Sequence, residues 1–176
     1  MLTAYDAQGQ GLVKQNGGET CQSAVWIDLL NPTREDEAVV ERLLGIEIPT
    51  REEMREIETS SRLYQDAGAQ YMTAMLLYQV ETPTPVATDV TFILTERQLV
   101  TVRYADMKSF PMFLTRAEKG DARCDGAMAV LLGLLETIID RESDLIERMQ
   151  GETERIAQGI FDMKGGSATR TRRFDV

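Results

Sequence analysis

The chain has 176 residues, 43% of them apolar and 27% charged, which suits one folded domain with a real core and excludes disorder throughout. Its 19 Lys and Arg against 29 Asp and Glu leave a net charge of −10, which repels phosphate backbones and makes nucleic acid a poor partner. It has no histidine, so Ser-His-Asp and Cys-His catalysis, HExxH zinc sites and imidazole acid–base chemistry are out of reach.

In chain order, residues 2–14 read as two short strands around a Gln8-Gly9-Gln10-Gly11 turn, and 24–30, Ala24-Val25-Trp26-Ile27-Asp28-Leu29-Leu30, as a buried strand. Trp26 is expected in the core, and Asp28 is expected to end the strand or cap a neighbouring turn. Asn31-Pro32-Thr33 stops the strand. Thr33 and Asp36 then resemble a capping box, with Glu35, Asp36 and Glu37 at the favourable end of the helix dipole. Val39, Val40, Leu43 and Leu44 give that helix an apolar face, and Gly45 ends it. Thr50-Arg51-Glu52-Glu53 starts a second, short helix with Met54 and Ile57 facing inward.

From Ser61 the period becomes strand-like. Leu63-Tyr64 leads into one long run over 70–80. A turn over 81–88 carries Pro83 and Pro85, and strands follow at 90–95 and 99–103. A modest helix spans 107–118, its first turn near Pro111. From Cys124 to Phe161 the pattern is helical without proline, with Leu131, Leu135, Ile138, Leu145, Met149, Ile156 and Ile160 on a 3–4 seam that Glu142 and Thr153 interrupt. Such a helix is about 55–60 Å long, and it reads as a stalk or hairpin that packs against something else. Lys164-Gly165-Gly166-Ser167 is expected to break it, and the basic segment after it reads as the start of a truncated further helix.

The expected architecture is therefore α/β, a mixed or antiparallel central sheet flanked by helices in α/β/α layers, with a long C-terminal stalk-type helix. Its parts are an α/β domain at 1–123, the long helix at 124–163, and 164–176 beyond it. No 20-residue apolar stretch or signal peptide is legible. Cys21 and Cys124 form no CxxC pair, which argues against a thiolate zinc site.

GxGxxG, GxxxxGK[ST] and GxSxG are absent, and no carboxylate pair is singled out by an apolar setting, so the chain is read as not an enzyme. What remains is acid. Glu35, Asp36, Glu37 and Glu41 share the first helix, and Glu52, Glu53 and Glu56 the second. Asp140, Asp144 and Glu147 fall at i, i+4 and i+7 of the long helix, on one face. Oxygen donors of this kind suit Mg2+ or Ca2+; a solvated acidic face would give the same pattern, with Arg141 and Arg148 as local counter-charges.

Trp26-Ile27-Asp28-Leu29-Leu30-Asn31-Pro32-Thr33, followed by an acidic helix, resembles the amino-terminal signature of CorA-type magnesium transporters and their ZntB-like zinc relatives. Glu52 to Glu58, the Ser61-Arg62-Leu63-Tyr64 segment, the pair Val90–Thr95 and Leu99–Arg103, and the Ala129–Glu147 helix follow in the family's order. The resemblance covers nearly the whole chain, without the family's Gly-Met-Asn motif. It implies the cytoplasmic ion-sensing and gating domain of a divalent-cation transporter at the inner membrane, truncated before its membrane helices. The intact protein would be a pentamer assembled through its cytoplasmic and stalk helices, and this part would not itself insert into the membrane. It further implies Mg2+ as the regulatory and transported ion, with Zn2+, Co2+ or Ni2+ as alternatives. Asp140 carries over as a regulatory ligand, Asp144 stands with it by spacing, and Asp89 and Glu81 flank the proline turn as weaker candidates. A free-standing α/β protein binding a metal through carboxylates, or an interaction module whose helix dimerises, are the competing readings.

Overall fold

A computed structural model describes residues 1–9, 11–15, 21–55, 62–82 and 84–167, with 161–167 described by backbone alone. The chain divides into two compact units, Met1–Ile138 and Ile139–Val176.

In the first unit, strands β1 (Leu2–Gln8), β2 (Gly11–Gln15), β3 (Trp26–Leu30), β4 (Leu63–Asp66), β5 (Ala69–Tyr78), β6 (Val86–Leu94) and β7 (Leu99–Arg103) form one seven-stranded sheet in the order β2-β1-β3-β7-β6-β5-β4. All pairs are antiparallel except β3–β7, so the sheet is mixed. Helices α1 (Arg34–Leu44) and α2 (Arg51–Arg55) follow β3, α3 (Ser109–Glu118) follows β7, and α4 (Ala127–Ser167) ends the described chain.

Strand alternation sorts side chains onto two faces, each with its own core. Ile27, Leu29, Ile93, Val100 and Val102 meet Val40, Ile46, Ile48 and Met54 on one side. Trp26, Val90, Phe92 and Leu99 meet Phe110, Phe113, Val130, Leu134 and Ile138 on the other. The sheet is thus sandwiched between helical layers, as the pattern predicts. Close packing of α4 on α3 needs Gly133, because a Cβ there would stand 2.8 Å from Phe113 Cε2.

Local signals hold where they were strongest. The Thr33 hydroxyl accepts from Asp36 N while the Asp36 carboxylate accepts from Thr33 N, and Gly45 closes α1 at φ 67°. Thr50 and Glu53 make the same reciprocal pair ahead of α2. Three elements differ from expectation. The long run expected over 70–80 is β5, but the Leu63-Tyr64 lead-in is a separate strand, β4, that forms a hairpin with it, turning at Ala67 and Gly68 with φ 47° and 78°. Both turn residues being left-handed fits a tight two-residue connection, and Ala-Gly is a weaker signal for it than Asn-Gly. β6 begins at Val86 instead of 90, which puts Asp89 in a strand opposite Met75. α4 continues through Gly165 and Gly166 to Ser167; glycine weakens a helix without deleting a hydrogen bond, as proline does. Ile57, Glu56 and residues 168–176 lie outside the described residues.

Candidate functional site

The family-like signature folds into a buried polar network. In β3, Trp26 and Asp28 share one face. In β7, Thr101 and Arg103 share that same face, and the parallel register sets Asp28 opposite Thr101. Trp26 Nε1 donates to Thr101 Oγ1 at 3.0 Å, and Thr101 Oγ1 donates to Asp28 Oδ1 at 2.8 Å. Arg103 grips both carboxylate oxygens, Nε to Oδ1 at 3.0 Å and Nη2 to Oδ2 at 2.8 Å. Arg103 Nη1 donates to Ala105 O at 3.0 Å and to Asp106 Oδ1 at 3.4 Å, and the guanidinium lies 4.0 Å from the Phe110 ring centroid. Asp28 and Arg103 side chains are each only 6% exposed.

Burial would lower the Arg103 pKa, but the Asp28 hydrogen bonds and charge outweigh it and hold the group further up. Tyr5, stacked on Trp26 at 4.7 Å, has its phenol raised by burial and then by Asp28, against Arg103. Each polar side-chain atom of Trp26, Asp28, Thr101 and Arg103 has a hydrogen-bond partner among the described residues, so the network ties β3, β7 and α3 together. Asp28 neither ends β3 nor caps a turn. The missed signal was parity: Asp28 with Trp26, and Arg103 with Thr101, fall two residues apart on strands buried on both faces.

The predicted metal ligands are dispersed. Glu81 is exposed and paired with Lys108 at 3.2 Å. Asp89 is half-buried and lines a cavity of about 160 Å3 with Arg51, Arg55, Tyr78, Thr88 and Tyr104. Asp140 and Asp144 are exposed, one turn apart on the second unit's part of α4. Among the described residues no three His, Cys, Asp or Glu side chains converge as a metal-binding group. Of these four, only Asp140 and Asp144 share a helical face. Mg2+ keeps several waters and uses only one or two carboxylates.

A second cavity, between α2 and β4–β5, is walled by Tyr64 stacked on Tyr71 at 4.6 Å and by Glu47, Glu53 and Asp66. Burial raises both phenols first, and Tyr71 is committed to Glu47 O at 3.0 Å.

The expected single seam on α4 is two stripes. Leu131, Leu134 and Ile138 are buried in the first unit's core, and Leu145 is buried too. Met128, Leu132, Ile139, Ile146, Met149, Ile156 and Ile160 are half or more exposed, from 50% to 65%. With Leu135, Glu142 and Thr153 between them, these residues recur at alternating steps of four and three, a heptad stripe. Among the described residues no helix is long and apolar enough to cross a membrane. Cys21 and Cys124 are free and buried.

A mixed sheet layered between helices and followed by a long helix is the architecture of the soluble domain of CorA from Methanocaldococcus jannaschii. That structure superposes with a TM-score of 0.68 at 13% identity, over 92% of this chain and 65% of that one. The cytoplasmic domain of ZntB from Vibrio parahaemolyticus gives 0.58 at 11% identity, over 85% and 63%. In sequence, the chain is 26% identical over 170 residues to the magnesium transport protein CorA of Pasteurella multocida, covering 96% of this chain and 54% of that protein. The profile described as CorA-like Mg2+ transporter protein matches residues 21–170. The chain belongs to the CorA-like Mg2+ transporter family. It spans about half the length of the curated relatives it matches.

Proposed function

We propose that the chain acts as the ion-sensing and gating domain of a transporter that carries Mg2+, on the cytoplasmic face of the inner membrane and within a homopentamer. The observation that carries this reading is the family match across residues 21–170. In this reading the pore is formed by other residues, and the described ones respond to the ion.

The physical device is repulsion between acids. Two carboxylates about 4 Å apart repel by roughly 4 kcal/mol at the effective dielectric of a protein surface. The exposed apolar stripe of α4 offers one contact between copies. Asp140 and Asp144 lie away from that stripe on the same helix, and a cyclic assembly gives each copy two unlike flanks. We assign them to the other boundary, where Mg2+ screens them and holds neighbouring copies together; its loss lets the copies part and the pore open. Glu81 is engaged by Lys108 and Asp89 faces two arginines, so both are assigned a lesser part.

The test uses the full-length protein in lipid nanodiscs, digested by a protease with and without about 10 mM Mg2+, a dose suited to low-millimolar affinity. Mg2+ should slow cleavage of the wild type, and Asp140→Asn with Asp144→Asn should remove most of that protection. A wild-type digestion pattern unchanged by Mg2+ refutes the reading. Uptake assays with Mg2+, Zn2+, Co2+ and Ni2+ identify the cargo.

A further inference from the structure

One charged cavity of the first unit has a basic side that cation sensing does not use. It lies between α2, the end of β5, the start of β6 and the Tyr104-Ala105 segment after β7, with α2 against β6. Arg51 and Arg55, four residues apart on α2, project along one face. In a chain of net charge −10, neither guanidinium has a carboxylate within salt-bridge distance among the described residues. Arg51 rests instead on the Tyr104 ring, 5.1 Å from its centroid. The other polar walls are the hydroxyl-bearing Tyr78, Thr88 and Tyr104, and the single acid is Asp89.

We propose that this cavity binds a phosphate-class oxyanion, gripped by Arg51 and Arg55. Two guanidinium forks supply parallel N–H donors in the geometry that phosphate oxygens accept, and hydroxyls can donate to the remaining oxygens. Two cations against one carboxylate make the lining itself net positive, although Glu37 and Glu52 act on Tyr104 from beside it. The volume of about 160 Å3 is well below the roughly 300–1,000 Å3 of pockets for drug-sized ligands. The occupant is therefore one small group: free phosphate, or the terminal phosphate of a larger molecule whose remainder stays outside. Asp89 opposes the anion and sets its affinity low, so occupancy tracks the ligand's concentration. The proposal is independent of the transporter reading, and its failure leaves that reading untouched.

The test is phosphorus NMR line broadening and calorimetry on the 176-residue chain, with metal chelated. One arm titrates inorganic phosphate, a second ATP, and a third sodium chloride at matched ionic strength. Expected is saturable phosphate binding with Kd on the order of 1 mM. Arg55→Ala should weaken it about tenfold or more, as loss of a charge-assisted contact does. Asp89→Asn should tighten it several-fold, while Arg97→Ala, a distant exposed arginine, changes nothing. ATP binding more tightly than phosphate, with the same sensitivity to Arg55→Ala, identifies a nucleotide phosphate as the source; equal affinity identifies free phosphate. Circular dichroism and Trp26 fluorescence establish that each variant is folded. No saturable binding in wild type, an effect that chloride reproduces, or equal affinity in folded Arg55→Ala overturns the proposal.

Discussion

Asp28→Asn should be the most damaging near-isosteric change in the molecule. The Asn carbonyl can still accept from Thr101 and from Arg103 Nε, but its NH2 then points at Arg103 Nη2, which in the wild type is 2.8 Å from the carboxylate oxygen. A guanidinium only 6% exposed is left without its counter-ion. Breaking a buried pair from one side costs roughly 3–5 kcal/mol. Arg103 keeps the Ala105 carbonyl, the Phe110 ring and an outlying contact to Asp106 at 3.4 Å, so the low end, about 3 kcal/mol, is expected. That is a large part of the roughly 5–15 kcal/mol that holds a typical domain. Replacing both partners, Asp28→Leu with Arg103→Met, removes the charge problem and should cost less than Asp28→Asn alone, since apolar replacements of buried pairs are often neutral. Urea unfolding followed by the fluorescence of Trp26, the sole tryptophan and a member of the network, measures both. A loss under about 1 kcal/mol for Asp28→Asn, or a double variant as costly as the two single changes summed, would refute this account.

Gly133→Ala should destabilise the first unit by about 1 kcal/mol, the helix-propensity gain being outweighed by overpacking against Phe113; Gly151→Ala, with nothing within 4 Å of the new Cβ, should not destabilise and should raise helicity by circular dichroism. Thr33→Ala should cost about 1 kcal/mol in urea unfolding through loss of the cap. Burial alone would raise the Asp36 carboxyl, but the Thr33 amide and the Met1 ammonium, 3.0 Å away, hold it below the usual aspartate range. A depressed acid contributes stability in full above its unfolded value and loses it as pH falls through the folded one. Asp36→Asn should therefore flatten the fall of the urea midpoint below about pH 4. Ile146→Lys with Ile156→Lys should leave the Trp26-reported transition within about 0.5 kcal/mol, as surface changes do, yet prevent assembly of the full-length protein in light scattering.

Legibility in the sequence followed the range of the interaction. Thr33-Asp36, Thr50-Glu53 and Gly45 were readable because a cap is closed by residues three or four apart. Layering was readable because Ile27 and Leu29 alternate with Trp26 on one strand. The hairpin at Ala67-Gly68 was missed because alanine seldom takes a positive φ. Arg103 was missed because its partner stands 75 residues away, and nothing local marks a buried charge as paired. The two stripes of α4 merged into one because Leu145 and Met149 sit four residues apart, a step that the helical period alone assigns to a common face. Arg51 and Arg55 carry no local signal of a site, since the cavity beside them is built by β5, β6 and the segment after β7.

The one parallel junction in the sheet also bears on how the chain is made. Strands β4 to β7 form a meander of neighbours, and β1 to β3 form a second local cluster; only β3 against β7 joins the halves, across more than seventy residues. A nascent chain leaving the ribosome exposes one edge of β3 from about residue 30 until residue 103 has emerged, and closing so long a loop costs entropy before contacts repay it. The three amino-terminal strands thus wait, half-paired, for the arrival of the strand that carries Arg103.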